Sequence, residues 1–273
     1  MIYCIEIVSI LQKEAFMTKH QPAVNESEQK KPRASKLRRI YIARLAGRIA
    51  VLIVCAALAL LRPQLFSVLE GMAFFRGFTA LHLLWGVWVV DMLCQLFPIR
   101  KRIPLGSQKL FGFRFVAIEQ FELNAEKLKN YITNTTKAAY RVALVWVAFI
   151  AGIALLYFKG VIGKIGMFLI SVAFYVCDLI CVLVWCPFRL MMKNRCCTTC
   201  RIFNWDHLMM FSPLVFIGGF YSVSLVVLAV AAFLLWEACV MLFPERFWEF
   251  SNDALKCVNC TDKLCTQYCQ KLR

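Results

Sequence analysis

Long apolar stretches are the feature that most limits what this chain can fold into. A helix needs about 20 mostly apolar residues to cross the ~30 Å hydrocarbon core of a bilayer. Several stretches between residues 45 and 243 meet that length, and hydrophobic residues make up 61% of the chain against 18% charged residues. The chain is therefore predicted to be an all-α integral membrane protein with five to six transmembrane helices, an interfacial amphipathic helix and a short cysteine-rich C-terminal tail.

The predicted membrane domain covers residues 45–243. Its spans are placed at about 45–61, 72–97, 142–158, 161–186 and 221–243, with a short or re-entrant span at about 202–220. The count stays open because the 36 residues from Leu208 to Phe243 would form a helix of roughly 54 Å, too long for one crossing and tight for two. Pro213 and the pair Gly218 and Gly219 supply the break in this stretch.

Three polar segments surround or interrupt this domain. Residues 1–44 form a basic arm, which is expected to be largely disordered because the stretch from about Gln21 to Ser35 is polar and has few apolar residues. The segment at about 108–131 mixes aromatic and charged residues, which is typical of an amphipathic helix lying in the membrane interface. Residues 244–273 form the cysteine-rich tail.

The distribution of lysine and arginine predicts the orientation in the membrane. Eight basic residues and no acidic one lie between Lys30 and Arg48, which places the N-terminus in the cytosol. With six crossings the tail is cytosolic too, whereas five crossings would move its five basic residues outside. The six-span arrangement is favoured. The net charge of +16 is spread between apolar runs, so lipid headgroups, and not nucleic acid, are the expected partners.

Most of the 14 cysteines fall into two clusters. Cys55, Cys94 and Cys239 lie singly inside spans and are read as packing residues. The C-x2-C turns that begin at Cys197 and Cys257 could together complete a zinc site, while the tail cysteines could by themselves bind a four-iron cluster. The clustered cysteines are Cys177, Cys181, Cys186, Cys196, Cys197 and Cys200, followed by Cys257, Cys260, Cys265 and Cys269.

The two clusters also carry a resemblance. The tail spacing C-x2-C-x4-C-x3-C is similar to the ferredoxin-type signature, and C-x4-CPF at 181–188 resembles the C-x3-CP element of membrane-anchored polyferredoxin-type iron–sulfur proteins. The resemblance covers about residues 177–273. It implies an iron–sulfur cluster on the four tail cysteines, a role for Cys181 and Cys186, and a soluble or membrane redox partner.

Other readings of the cysteines remain open. An extracytoplasmic tail would allow two disulfides among its four cysteines, and zinc competes with iron–sulfur as the bound metal. The first functional hypothesis is thus a cytosolic cysteine metal site for electron transfer or redox sensing. A structural or adaptor protein with a zinc-stapled tail is the second.

Ionisable side chains inside spans are costly in a bilayer and are therefore functional candidates. They are His82, Asp91, Asp178 and Glu237. Asp178 and the broken last helix support a third hypothesis, a transporter. His82 alone is weak evidence for haem, which generally needs two histidines, so haem is not expected. Asp206 and His207, next to the CCTTC turn, could supply acid–base chemistry or a further metal ligand. The sequence contains no catalytic motif that identifies an enzyme.

Overall fold

A computed structural model of the protein describes residues 36–96, 125–192, 200–248 and 250–253. These residues form seven α-helices and several 3-10 helices, and no β-strand lies among them. The α-helices are α1 (Lys36–Leu61), α2 (Ala80–Leu96), α3 (Ala125–Phe158), α4 (Lys164–Leu183), α5 (Pro187–Met192), α6 (Asp206–Phe211) and α7 (Gly219–Leu242). The 3-10 helices are Pro63–Leu69, Ala73–Phe75, Arg201–Trp205, Ser212–Phe216 and Pro244–Phe247.

Four of these helices are long and apolar enough to cross a membrane. They are α1, α3, α4 and α7, whose apolar segments run for 20 to 33 residues with mean hydropathies of 2.1 to 2.5. Helix α2 is apolar but has only 17 residues. The described part of the chain is thus a helical integral membrane protein, as predicted. The finer expectation of five to six spans stays a prediction.

The span predicted at 72–97 is shorter in the structure. Helix α2 begins at Ala80, because the backbone N–H of Thr79 donates to His82 Nδ1 at 2.9 Å and so caps the first turn. The preceding residues form a short 3-10 helix instead of extending the span. Within it the rings of Phe74 and Phe75 lie 5.0 and 4.6 Å from the ring of Phe220 on α7.

The segment predicted as a short or re-entrant span is built from three short pieces. The 3-10 helix Arg201–Trp205, α6 and the 3-10 helix Ser212–Phe216 follow one another, and Pro213 lies at the start of the last piece. Gly219 then begins α7 with a φ of +77°. A Cβ at Gly219 would lie 2.5 Å from the carbonyl oxygen of Leu69, so both its conformation and its close contact require glycine.

This segment runs along α7 in the opposite direction. At its start Arg201 binds Glu237 near the end of α7, and at its other end Phe220 N–H donates to the Gly71 carbonyl at 2.9 Å. We name the two ends of the bundle the Arg201 end and the Glu70 end. Glu70 pairs with Lys164 at 2.8 Å, so the connections before α2 and before α4 both lie at the Glu70 end.

The core forms where α2, α4 and α6 meet. Trp88 is completely buried, and its ring centroid lies 6.0 Å from that of Phe168, 5.8 Å from Tyr175 and 5.1 Å from Phe211. Helix α1 packs on α4, and α2 packs on α7. Because α1 packs on α4 whereas α2 packs on α7, a groove lies between α1 and α2.

Several predicted elements fall outside the described residues or differ in extent. The arm up to residue 35, most of the interfacial helix at 108–131 and most of the tail, 254–273, lie outside them. Residues 125–131 of that predicted helix form the first turns of α3, which continues without a break to Phe158. The fourth span, predicted at 161–186, is α4 from Lys164 to Leu183.

Candidate functional site

A groove between α1 and α2 forms a cavity with a volume of about 1090 Å³. The facing sides of α1 and α2 form its walls. Residues of α4 and of the 203–207 segment close the groove at the Arg201 end. Cavities that bind small molecules usually measure about 300–1,000 Å³ and are mostly apolar with a few polar groups. This groove has that character, because its polar residues other than His82 gather near the Arg201 end.

An arginine–aspartate pair joins α1 to α4 inside the groove. Arg48 Nη1 lies 2.7 Å from Asp178 Oδ2 and donates to the Tyr175 carbonyl at 2.6 Å. The guanidinium carbon also lies 3.8 Å from the centre of the Tyr175 ring. The two side chains are 15% and 17% exposed, so this pair is largely withdrawn from solvent and lipid.

A histidine flanked by two aspartates lies beside that pair. His207 Nδ1 is 2.8 Å from Asp206 Oδ1, and His207 Nε2 is 3.7 Å from Asp91 Oδ2 on α2. Gln95 donates to the same Asp206 oxygen at 3.4 Å. Since each ring nitrogen faces a carboxylate oxygen, the imidazolium form, with a hydrogen on both nitrogens, suits this arrangement.

The two groups form one electrostatic unit. Asp178 interacts with Asp206 and His207, and Arg48 interacts with Asp91. We call this unit the polar cluster: Arg48, Asp91, Asp178, Asp206 and His207, drawn from α1, α2, α4 and α6. The cluster holds three carboxylates and one permanent cation, Arg48. It is therefore electrically neutral only when His207 is protonated and one further cation or proton is present.

A second buried ion pair lies at the same end of the bundle, outside the groove. Arg201, 6% exposed, places Nε 3.0 and 3.1 Å from the two carboxylate oxygens of Glu237, and its Nη2 also contacts that carboxylate. Arg201 Nη1 donates to Thr136 Oγ1 at 2.8 Å, and Trp205 Nε1 donates to Glu237 at 2.7 Å. The protein supplies all of these partners, and the pair therefore ties α3, α7 and the 201–205 segment together.

His82 is fully engaged by the backbone. Its Nδ1 accepts from the N–H of Thr79 at 2.9 Å, and its Nε2 donates to the Phe74 carbonyl at 2.9 Å. The ring is therefore the neutral tautomer with hydrogen on Nε2. It caps α2 and does not pair with Asp91, which lies at the polar cluster.

The described cysteines do not form a metal site. Cys181 and Cys186 interact through their thiols, and Cys200 is buried in an apolar cluster with Val142 and Trp205. Within residues 36–96, 125–192, 200–248 and 250–253, no three His, Cys, Asp or Glu side chains are placed to hold a metal, and no cysteine is in a disulfide. Cys196, Cys197, Cys257, Cys260, Cys265 and Cys269 lie outside the described residues. The iron–sulfur or zinc site stays a prediction.

Sequence reasoning named all four carboxylates of these two buried sites, Asp91, Asp178, Asp206 and Glu237, but missed their arginine partners. Arg48 lies inside the predicted span 45–61, and an arginine within an apolar run was a usable signal. Arg201 borders the predicted span at 202–220 in the same way. The Asp206 and His207 pair was noted, but nothing in the sequence placed it against Asp91 or Asp178.

Comparisons with protein-family models, with curated proteins and with solved structures return no match for this chain. The site is therefore interpreted from its own geometry.

Proposed function

We propose that the protein is a membrane transporter and that the polar cluster is its proton-binding site. The observation that carries this proposal is a titratable histidine held between two aspartates, next to an arginine–aspartate pair, at one end of a cavity of about 1090 Å³. Ionisable groups inside a membrane are typical of proton relays and solute pathways. The transporter hypothesis thus gains support that Asp178 alone did not give.

Energetics favour a functional over a purely structural role for the cluster. A buried ion pair often adds little net stability, because desolvation of the charges offsets their attraction. Five ionisable groups from four helices would be a poor way to hold a bundle that already has a large aromatic core. Carboxylates beside a histidine, in contrast, change its protonation equilibrium, which suits a site that binds and releases a proton.

The path of the 201–218 segment supports six crossings. It runs from the Arg201 end to the Glu70 end beside α7, so it would cross the bilayer as a broken helix. Broken helices are typical of transporter binding sites because they place polar groups at membrane depth. With six crossings both termini lie on one side, which the basic residues predict to be the cytosol. A reporter fused after Arg273 that reads as external would contradict this topology.

The transport proposal is tested by charge movement in proteoliposomes on a solid-supported membrane. A rapid pH jump should displace protons into or out of the cluster and give a transient current with the wild-type protein. His207→Gln and Asp91→Asn should lose most of that current. The matched control is Glu70→Gln, which removes a carboxylate from an exposed pair at the Glu70 end.

Two results would overturn the proposal. One is a wild-type current no larger than that of protein-free liposomes. The other is a wild-type current that His207→Gln and Asp91→Asn leave unchanged, because the protons would then move elsewhere.

A further inference from the structure

The groove is amphipathic: the polar cluster lies at one end, and the remaining length is mostly apolar. Helices α1 and α2 run antiparallel along it, so that Arg44 and Arg48 lie at the same end as Asp91, and Leu58 lies at the same end as Ala80. Small and aliphatic residues cover the walls between these ends, including Gly47, Val51 and Val54 on α1 and Gly86, Val87 and Val90 on α2. From Arg44 to Leu58 the helical rise gives about 21 Å, slightly more than the ~15 Å of one leaflet's hydrocarbon.

Arg44 is a cation at the mouth of this groove. Arg44 is exposed and lines the cavity, and its guanidinium carbon lies 5.2 Å from the centre of the Tyr41 ring. Among the described residues no carboxylate pairs with Arg44, whereas Arg48 is paired with Asp178. An anionic group is therefore the complementary ligand for this position.

We infer that the groove binds an amphiphile with an anionic head group and one hydrocarbon tail, the head on Arg44 and the tail between α1 and α2. This inference rests on the proposed function in naming that amphiphile as the transported substrate. The same charges link the head group to the proton. Arg44, Arg48, a protonated His207 and three carboxylates line the polar end, and their charges sum to zero. A bound anion adds a negative charge that favours uptake of one proton.

Two glycines offer a clean way to block the tail. Gly47 and Gly86 line the groove, and a Cβ on either would meet no heavy atom within 4 Å. A phenylalanine there would put an aromatic ring into the groove from a Cβ position that is open. Gly152 on α3 is equally open, is exposed, and does not line the groove, which makes it the matched control.

The experiment is photo-crosslinking of the full chain in nanodiscs. The probes are a long-chain alkyl phosphate with a diazirine in its tail, and the uncharged alcohol and cationic amine of the same chain. The phosphate should label peptides of α1 and α2, and Gly47→Phe and Gly86→Phe should abolish that labelling while Gly152→Phe keeps it. Arg44→Gln should weaken phosphate binding about fivefold, and Arg39→Gln, outside the groove, should not.

The outcomes separate this inference from the proposed function. Equal labelling by all three probes, or labelling that the groove phenylalanines leave intact, overturns the anionic amphiphile. If the phosphate probe does not label α1 and α2 of the wild-type protein while the pH-jump current is present, the amphiphile site is refuted and the proton-transport proposal is retained. Specific phosphate labelling without any pH-jump current supports the site and overturns transport.

Discussion

Removing Asp178 while keeping Arg48 should destabilise the protein more than removing both charges. In Asp178→Asn the guanidinium stays 15% exposed beside Tyr175 without its carboxylate partner. Breaking a buried pair in this way costs about 3–5 kcal/mol. We expect the lower part of that range, about 3 kcal/mol, because Arg48 also interacts with Asp91.

The double variant Arg48→Met, Asp178→Leu isolates the pair. Replacing both charges by apolar side chains of similar size is often neutral, so its free energy of unfolding should lie within about 1 kcal/mol of wild type. Steric-trap unfolding in bicelles measures these values for the wild type, the single variants Arg48→Met and Asp178→Leu, and the double variant, and gives the interaction energy. Additive losses, with the double variant as unstable as the sum of the single variants, would refute the reasoning. If the pair is functional, the stable double variant should also lose the pH-jump current.

Three other predictions follow from particular contacts. Gly219→Ala should lower the free energy of unfolding by about 2–3 kcal/mol, since it puts a Cβ at positive φ against Leu69, and a loss no larger than that of Gly152→Ala would contradict this. Lys164 lowers the pKa of Glu70, so this pair should stabilise the protein at pH values above the ordinary glutamate pKa. The stabilisation should be lost as the pH falls through the lowered pKa, and Glu70→Gln should therefore reduce the fall in thermal stability at acidic pH. Replacing any one tail cysteine, Cys257, Cys260, Cys265 or Cys269, by serine should remove most bound metal from anaerobically purified protein, whereas Cys55→Ser should not, and metal-free wild type with tail disulfides would exclude the site.

The sequence was sufficient for the class of fold because hydrophobic length is a local property. Each long apolar run appears as a helix, and Pro213 and the Gly218 and Gly219 pair mark where the last run breaks. Helix starts were harder to predict. The start of α2 depends on a hydrogen bond between Thr79 and His82, and hydropathy does not register such a contact.

The polar cluster could be predicted only in part, because its members are far apart in the chain. Asp91 and Asp178 stood out as charges in apolar runs, but Arg48 is 130 residues from Asp178, and no spacing rule links them. His82 and Asp91 are nine positions apart, which at about 100° per residue places them on opposite faces of one helix, so helical periodicity argues against a pair between them. The sequence could not reveal that Asp91 faces His207, since this contact depends on how the broken 201–218 segment packs against α2.

The protonation state of His207 is the most direct test of the central claim, that the polar cluster holds a proton within the membrane. The chain has three histidines, so nitrogen-15 solid-state NMR of the labelled protein in lipid gives few signals, and His207→Gln assigns the one of interest. The account predicts that His207 carries hydrogen on both ring nitrogens, while His82 in the same sample is neutral with hydrogen on Nε2 only. A neutral His207 in the wild-type protein, unchanged by Asp91→Asn, would contradict it.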